Sequence, residues 1–232
     1  MFPSPFPSEV AFRCFSEEQY PTIELHPEEE QYLGPRTVEI RKKHFRLGRA
    51  AAHQAILDLT GKPAGPILTG KRREPIWPAD LVGTISHSGA FACAAVAYKS
   101  FAIGIGYDIE FKKKTINPEI SRLVCHDDEA DWVNSGNTVD EVDANLRTIF
   151  CAKESIFKAF YPIERVELAF KDVKLEWDEE QSAFRGRLLR NASQQYREGH
   201  LFSVPCQSSQ GYVRSSLLLE ETSSQKATLL PE

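Results

Sequence analysis

Three groups of residues in this chain have the types and spacings to do chemistry. The first is Gly104-Ile105-Gly106-Tyr107-Asp108-Ile109-Glu110. Alternate side chains of a strand share a face, so Asp108 and Glu110 point together while Ile105, Tyr107 and Ile109 point into a core. Gly104 and Gly106 are expected to leave the carboxylate face bare. Two hard oxygen ligands beside open space suit Mg²⁺ carrying a phosphate. The plainer alternative is a solvent-facing strand end, and a D-x-E pair alone is a common pattern.

The second group runs from Phe150 to Lys158. At about 100° per residue, Ile149, Phe150, Ala152, Ile156, Phe157, Ala159 and Phe160 make one apolar arc. Glu154 and Lys158 lie one turn apart on its border, where an ordinary ion pair is the structural alternative. Lys153 falls inside the arc. An unpaired ammonium there is costly, and snorkelling of its long stem to water is the plainer alternative. The third group is basic: Arg41 and Arg49, two helical turns apart, then Lys71-Arg72-Arg73, then His87. Arginine forks onto phosphate oxygens, so the set suits a ligand with several phosphates. A solvated charged face is the alternative.

These residues need elements to hold them. A helix is expected from about Thr37 to Leu59, with Phe45, Ala52, Ile56 and Leu59 at helical spacing and Gly61 and Pro63 ending it. Residues 62–83 read as a loop. Ser86-His87-Ser88-Gly89 reads as a polar turn before a buried strand, Phe91–Tyr98. Ala102–Glu110 reads as the neighbouring strand of the same sheet. Helix is expected over 117–133 and from Asp140 to Phe160, with a loop at 134–138. Strand-like pieces follow at 166–176, 183–190, 199–205 and 211–219, and the last dozen residues read as loose. Mixed helix and strand in this order indicate an α+β fold.

The whole chain bounds the possibilities. Net charge is −5, so a broad basic surface for nucleic acid is not expected, and any anion site must be local. No apolar run approaches a membrane span, and the first residues lack the pattern of a secretory leader. The 5 cysteines are scattered without a C-x-x-C pair, which reads as reduced thiols in a cytoplasmic protein.

The order of the pieces then acquires meaning. A basic helix, a Gly70-Lys71 loop, Ile85-Ser86-His87-Ser88, Gly106-Tyr107-Asp108-Ile109-Glu110 and Phe150 to Lys158 together resemble the 4′-phosphopantetheinyl transferases. The likeness is to the two-halved type that serves nonribosomal peptide and siderophore synthases, as in enterobactin synthase. It spans about residues 35–190. It implies a monomeric pseudo-dimer of two similar halves, 1–103 and 104–232, with the active site between them. It implies transfer of the phosphopantetheine arm of coenzyme A to a serine of an apo acyl or peptidyl carrier protein, releasing adenosine 3′,5′-bisphosphate.

On that pattern Asp108, Glu110 and Glu154 bind Mg²⁺. Arg41, Arg49, the loop Lys71-Arg72-Arg73-Glu74, Ser86 and His87 hold the adenosine phosphates, and Lys153 and Lys158 lie near the pyrophosphate. The base for the carrier serine is Glu154, directly or through a metal-bound water; Asp108 and Lys158 complete the catalytic set. Three features depart from the family pattern: Tyr107 replaces an aliphatic residue, Phe150 replaces a frequent Trp, and the loop reads Gly-Lys-Arg. Two other readings fit the same residues: a different Mg²⁺-dependent phosphotransferase, or a silent coenzyme A-binding scaffold of a synthase complex. Lys112, Lys113 and Lys114, just after Glu110, offer a docking patch for an acidic carrier.

Overall fold

The computed structural model describes residues 2–113 and 116–221. Its first unit is a helix on a small sheet. Strands β1 (Ala11–Ser16), β4 (Leu81–Ser88) and β5 (Phe91–Tyr98) form an antiparallel sheet with β5 in the middle. Helix α2 (Glu39–Thr60) packs on it through Ala51, Ala52, Ala55 and Ile56, against Ala94 and Val96. Small residues on both surfaces let helix and sheet approach closely. Gly61, at φ 70°, ends the helix in the left-handed conformation and returns its N–H to the Leu57 carbonyl. A four-residue helix α1 (Pro27–Glu30) precedes α2. A short hairpin, β2 (Leu68–Thr69) and β3 (Pro75–Ile76), follows it and carries the basic loop at its tip.

The second unit repeats the theme on a larger scale. Strands β6 (Ala102–Phe111), β7 (Val173–Asp178), β8 (Ala183–Leu188), β9 (Leu201–Ser209) and β10 (Tyr212–Glu220) form an antiparallel sheet in the order β6-β10-β9-β8-β7. Helix α5 (Val139–Phe160) lies across it, with the short helices α3 (Ile120–Val124) and α4 (Asp127–Asn134) alongside. Ile149, Ile156 and Phe160 of α5 share a core with Val133, Leu175, Phe184 and Leu217. The α+β reading holds.

Several expectations are corrected. The strand Ala102–Phe111 is not the sheet neighbour of β5; it pairs with β10, more than a hundred residues later. Its apolar face explains this. Ile105 packs with Val82, Ala95 and Ala97, and Tyr107 and Ile109 pack with Cys14 and Cys93, so β6 lies face-on against the first sheet instead of extending its edge. Ser86, His87 and Ser88 are not a turn but the end of β4; the turn is at Gly89, φ 57°. The helix expected over 117–133 breaks at Cys125, which is extended. Residues 166–172 are loop and a 3₁₀ turn, Phe170–Asp172, and the strand begins only at Val173. Cys14 and Cys93 face each other across β1 and β5 and are joined as a disulfide, against the expectation of reduced thiols throughout. Strand pairing brings them together from 79 positions apart. The loose tail, and Lys114 of the lysine patch, fall largely or wholly outside the described residues. No helix among the described residues is long and apolar enough to cross a membrane.

Candidate functional site

The site begins with two glycines. A Cβ on Gly106 would stand 1.7 Å from the Ser155 carbonyl oxygen, and one on Gly104 would stand 2.0 Å from that of Ala159. Neither distance is possible for a real side chain, so only glycine lets the α5 backbone rest directly on β6. The expected bare face is therefore not open: α5 fills it. This contact carries Glu154 and Lys158 to the strand that bears Asp108 and Glu110.

Asp108 is the centre. Its side chain is buried, and its Oδ1 accepts hydrogen bonds from Ser86 Oγ at 2.7 Å and Lys158 Nζ at 2.6 Å. Lys158 also donates to Ser86 Oγ at 3.2 Å. Residues from β4, β6 and α5 thus meet at one point on the seam between the two units. Burial works against the Lys158 ammonium, but Asp108 and Glu154 outweigh it and hold its pKa above the ordinary lysine value. Glu110 is pushed up to about 7, by burial first and then by the Asp108 charge. Glu154 is also raised, chiefly by burial, with Lys158 opposing and Asp108 adding.

A cleft of about 440 Å³ opens beside this cluster, lined by Arg72, Arg73, Trp77, Ile85, Lys158 and Tyr161 among others. Arg72 bonds Glu167 at 2.7 Å across the seam, and Glu74 turns back to accept the Arg72 backbone N–H. Lys71, Arg72 and Arg73 are exposed. Arg41 is exposed at the start of α2, whereas Arg49 is buried, donating to Thr69 Oγ1 at 2.9 Å. The shared helix face therefore does not give the two arginines a shared environment. His87, exposed at the end of β4, stacks on His44 at 4.4 Å between ring centroids. Desolvation of the His87 ring, whose one face is covered by His44 while its side chain remains exposed, then the charges of His44 and Lys158, hold its pKa below the ordinary histidine value.

Lys153 does not reach the cleft. It is buried on the other side of α5 in an ion pair with Glu129 at 2.7 Å, so its place in the apolar arc is met by a buried counter-charge and not by snorkelling to water. Sequence reasoning missed Glu129, His44 and Glu29. The last is fully buried, accepts from the Ile67 N–H at 2.8 Å and sits 2.8 Å from His53 Nε2, so it holds the segment leading into the basic loop. A His followed three residues later by Glu, the spacing of a helix capping box, was the available signal for both glutamates.

The carboxylates pass a chemical test for a hard divalent cation, though not a geometric one. Asp108 Oδ2 is buried with no hydrogen-bond partner, and a bound cation would offset the burial and, after it, the Asp108 charge that raise Glu110 and Glu154. As they stand, no three His, Cys, Asp or Glu side chains among the described residues converge closely enough to hold an ion.

Comparison with known proteins decides the family. Residues 28–97 match the model of the 4′-phosphopantetheinyl transferase N-terminal domain, and residues 104–213 match that of the 4′-phosphopantetheinyl transferase superfamily. The chain belongs to the 4′-phosphopantetheinyl transferases. It is 35% identical over 170 residues to 4′-phosphopantetheinyl transferase Svp of Streptomyces mobaraensis, covering 73% of this chain and 68% of that one. It is 32% identical over 161 residues to 4′-phosphopantetheinyl transferase Npt of Nocardia iowensis, covering 69% and 70%. Enterobactin synthase component D of Escherichia coli O157:H7 is 34% identical over 121 residues, covering 51% and 54%. The two phosphopantetheinyl transferase matches divide between Val96–Ala97 and Gly104, which is where the first sheet ends and β6 begins.

Proposed function

We propose that this phosphopantetheinyl transferase moves the 4′-phosphopantetheine of coenzyme A to a serine of an apo carrier protein in a Mg²⁺-dependent reaction. The observation that carries the reading is the meeting of Ser86, Asp108 and Lys158 at the inner end of a cationic cleft. The two units, divided near Ile103, act as halves of a pseudo-dimer with that cleft as the active site.

In this reading the coenzyme A phosphates lie along the cleft. Lys71, Arg72, Arg73, Arg41 and His87 face the adenosine phosphates, with Ser86 beside them. Arg49 acts on the same region through Thr69, just before the basic loop. Asp108, Glu110 and Glu154 would hold Mg²⁺, which supplies charge neutralisation for the pyrophosphate. The carrier serine oxygen attacks the phosphorus that bears the pantetheine arm. Glu154 takes the serine proton as general base. The bond from that phosphorus to the bridging oxygen breaks, and adenosine 3′,5′-bisphosphate leaves with its new charge facing the Lys158 ammonium. The exposed Lys112 and Lys113, at the end of β6, are the proposed contact for an acidic carrier.

Incubation with coenzyme A, Mg²⁺ and an apo peptidyl carrier, followed by intact mass measurement, tests the proposal. A carrier that gains phosphopantetheine supports it. Coenzyme A binding without any gain would instead identify a silent scaffold, and nucleotide hydrolysis without carrier a different phosphotransferase.

A further inference from the structure

Lys153 neighbours Glu154 in sequence yet has a different set of partners. Its Nζ lies 2.7 Å from Glu129 Oε2, 2.8 Å from the Val124 carbonyl, 3.0 Å from that of Phe170 and 3.1 Å from that of Val173. An ammonium has three N–H donors, so four acceptors leave none for a ligand. Its side chain is 1% exposed and that of Glu129 is 0% exposed, which shuts out substrate. Glu129 is equally committed. Its Oε2 also accepts from the His126 N–H at 2.7 Å, and its Oε1 from the Leu175 N–H at 2.7 Å. One ion pair therefore ties α5 to the end of α3, the start of α4, the Phe170–Asp172 turn and β7.

The consequence is rotational. Glu154 lies about 100° around the helix from Lys153, and Lys158 about 140°. With Lys153 pinned in the core, both flank the seam. At a side-chain radius of roughly 6 Å, a turn of about 10° would move their tips about 1 Å. A misplacement of that size in a reacting group can cost about a hundredfold in rate. The glycine contacts on β6 hold α5 close on its Ser155 and Ala159 side; the Lys153 ion pair anchors the roughly opposite side.

We propose that Glu129 and Lys153 form a buried positioning clamp that fixes the roll of α5 and so aims Glu154 and Lys158 at Asp108, with Lys153 making no contact with substrate. The proposal rests on the functional reading above for its rate assay. The carbonyl cage explains why a lysine is needed: a carboxylate at 153 would face three carbonyl oxygens, so the pair cannot be swapped.

The test compares Glu129→Gln, Lys153→Gln and the double variant in the full chain with coenzyme A, Mg²⁺ and apo carrier. Each single change leaves a buried charge without its counter-charge; the double change leaves none. Each single variant should lose at least tenfold in kcat, while coenzyme A affinity by titration calorimetry moves less than threefold. The double variant should be no slower than the worse single, because the two act as one unit. Losses that multiply in the double variant, or a tenfold weaker coenzyme A affinity in Lys153→Gln, would overturn the proposal. If Lys153→Gln does not fold, Glu129→Gln decides: an unchanged kcat overturns the clamp, and a tenfold loss at unchanged affinity supports it. If the wild type binds coenzyme A but transfers nothing, the functional reading fails. The affinity of Lys153→Gln then judges the clamp separately, an unchanged value supporting it and a tenfold loss overturning it.

Discussion

Lys158 donates to Asp108 Oδ1 across 2.6 Å, joining a helix to a strand 50 positions earlier in the chain. Ser86 closes the triangle from a third element, so one hydrogen-bonded cluster ties both units together. Removing the ammonium would leave Asp108 buried without a counter-charge and, in the proposed mechanism, leave the departing bisphosphate without the cation that faces it. Lys158→Ala should therefore lower kcat by about a hundredfold. Lys158→Arg should recover part of it, since charge is kept and only geometry changes. Steady-state transfer kinetics measure both, and near-normal turnover in the alanine variant would reject the assignment.

Glu154→Gln should cost about a hundredfold or more in transfer while coenzyme A still binds measurably. The substitution keeps the shape and removes the charge. Transfer assay and titration calorimetry on one preparation separate the two effects. A variant that transfers normally would remove Glu154 from the role of base.

Gly106→Ala should destabilise the fold by about 1–3 kcal/mol or more, as overpacking does in a closed contact. The new Cβ would meet the Ser155 carbonyl oxygen at 1.7 Å, and that oxygen belongs to helix backbone, which cannot step aside alone. Urea unfolding reads the loss, and transfer should fall with it because Glu154 is the preceding residue. A loss below about 0.5 kcal/mol would mean that α5 does not rest on β6 as described.

Transfer should stop in excess chelator and return with added Mg²⁺ or Mn²⁺, because the donor set is all oxygen. Full turnover in chelator would remove the carboxylates from metal binding.

Lys112→Glu combined with Lys113→Glu should raise the apparent KM for an acidic carrier, most at low salt, where exposed charges are least screened. The KM for coenzyme A should hardly move. An unchanged carrier KM at low ionic strength would place docking elsewhere.

How much of this was legible in the sequence depends on range. The 3.6-residue periodicity marked α2 and α5, and alternation along β6 marked Tyr107 and Ile109 as core, because both signals come from adjacent residues. Long-range pairing left no such trace. Nothing near Ala102 shows that β6 pairs with β10, nor that α5 would fill the face that Gly104 and Gly106 leave bare. The oddity of Lys153 was visible, but its partner lay 24 residues away on a helix too short to show a pattern. Arg49 showed the same limit in reverse: its spacing from Arg41 was correct, yet the hairpin at Leu68–Thr69 covers one arginine and not the other.

A crystal structure of the complex with coenzyme A tests the central claim most directly. The account predicts the nucleotide along the cleft between Arg72–Trp77 and Phe157–Tyr161, with its pyrophosphate within hydrogen-bonding reach of Lys158 and beside Asp108. A coenzyme A seated instead in the neighbouring groove lined by Ser100, Ile163 and Gln194, with Lys158 still bonded only to Asp108 and Ser86, would contradict it.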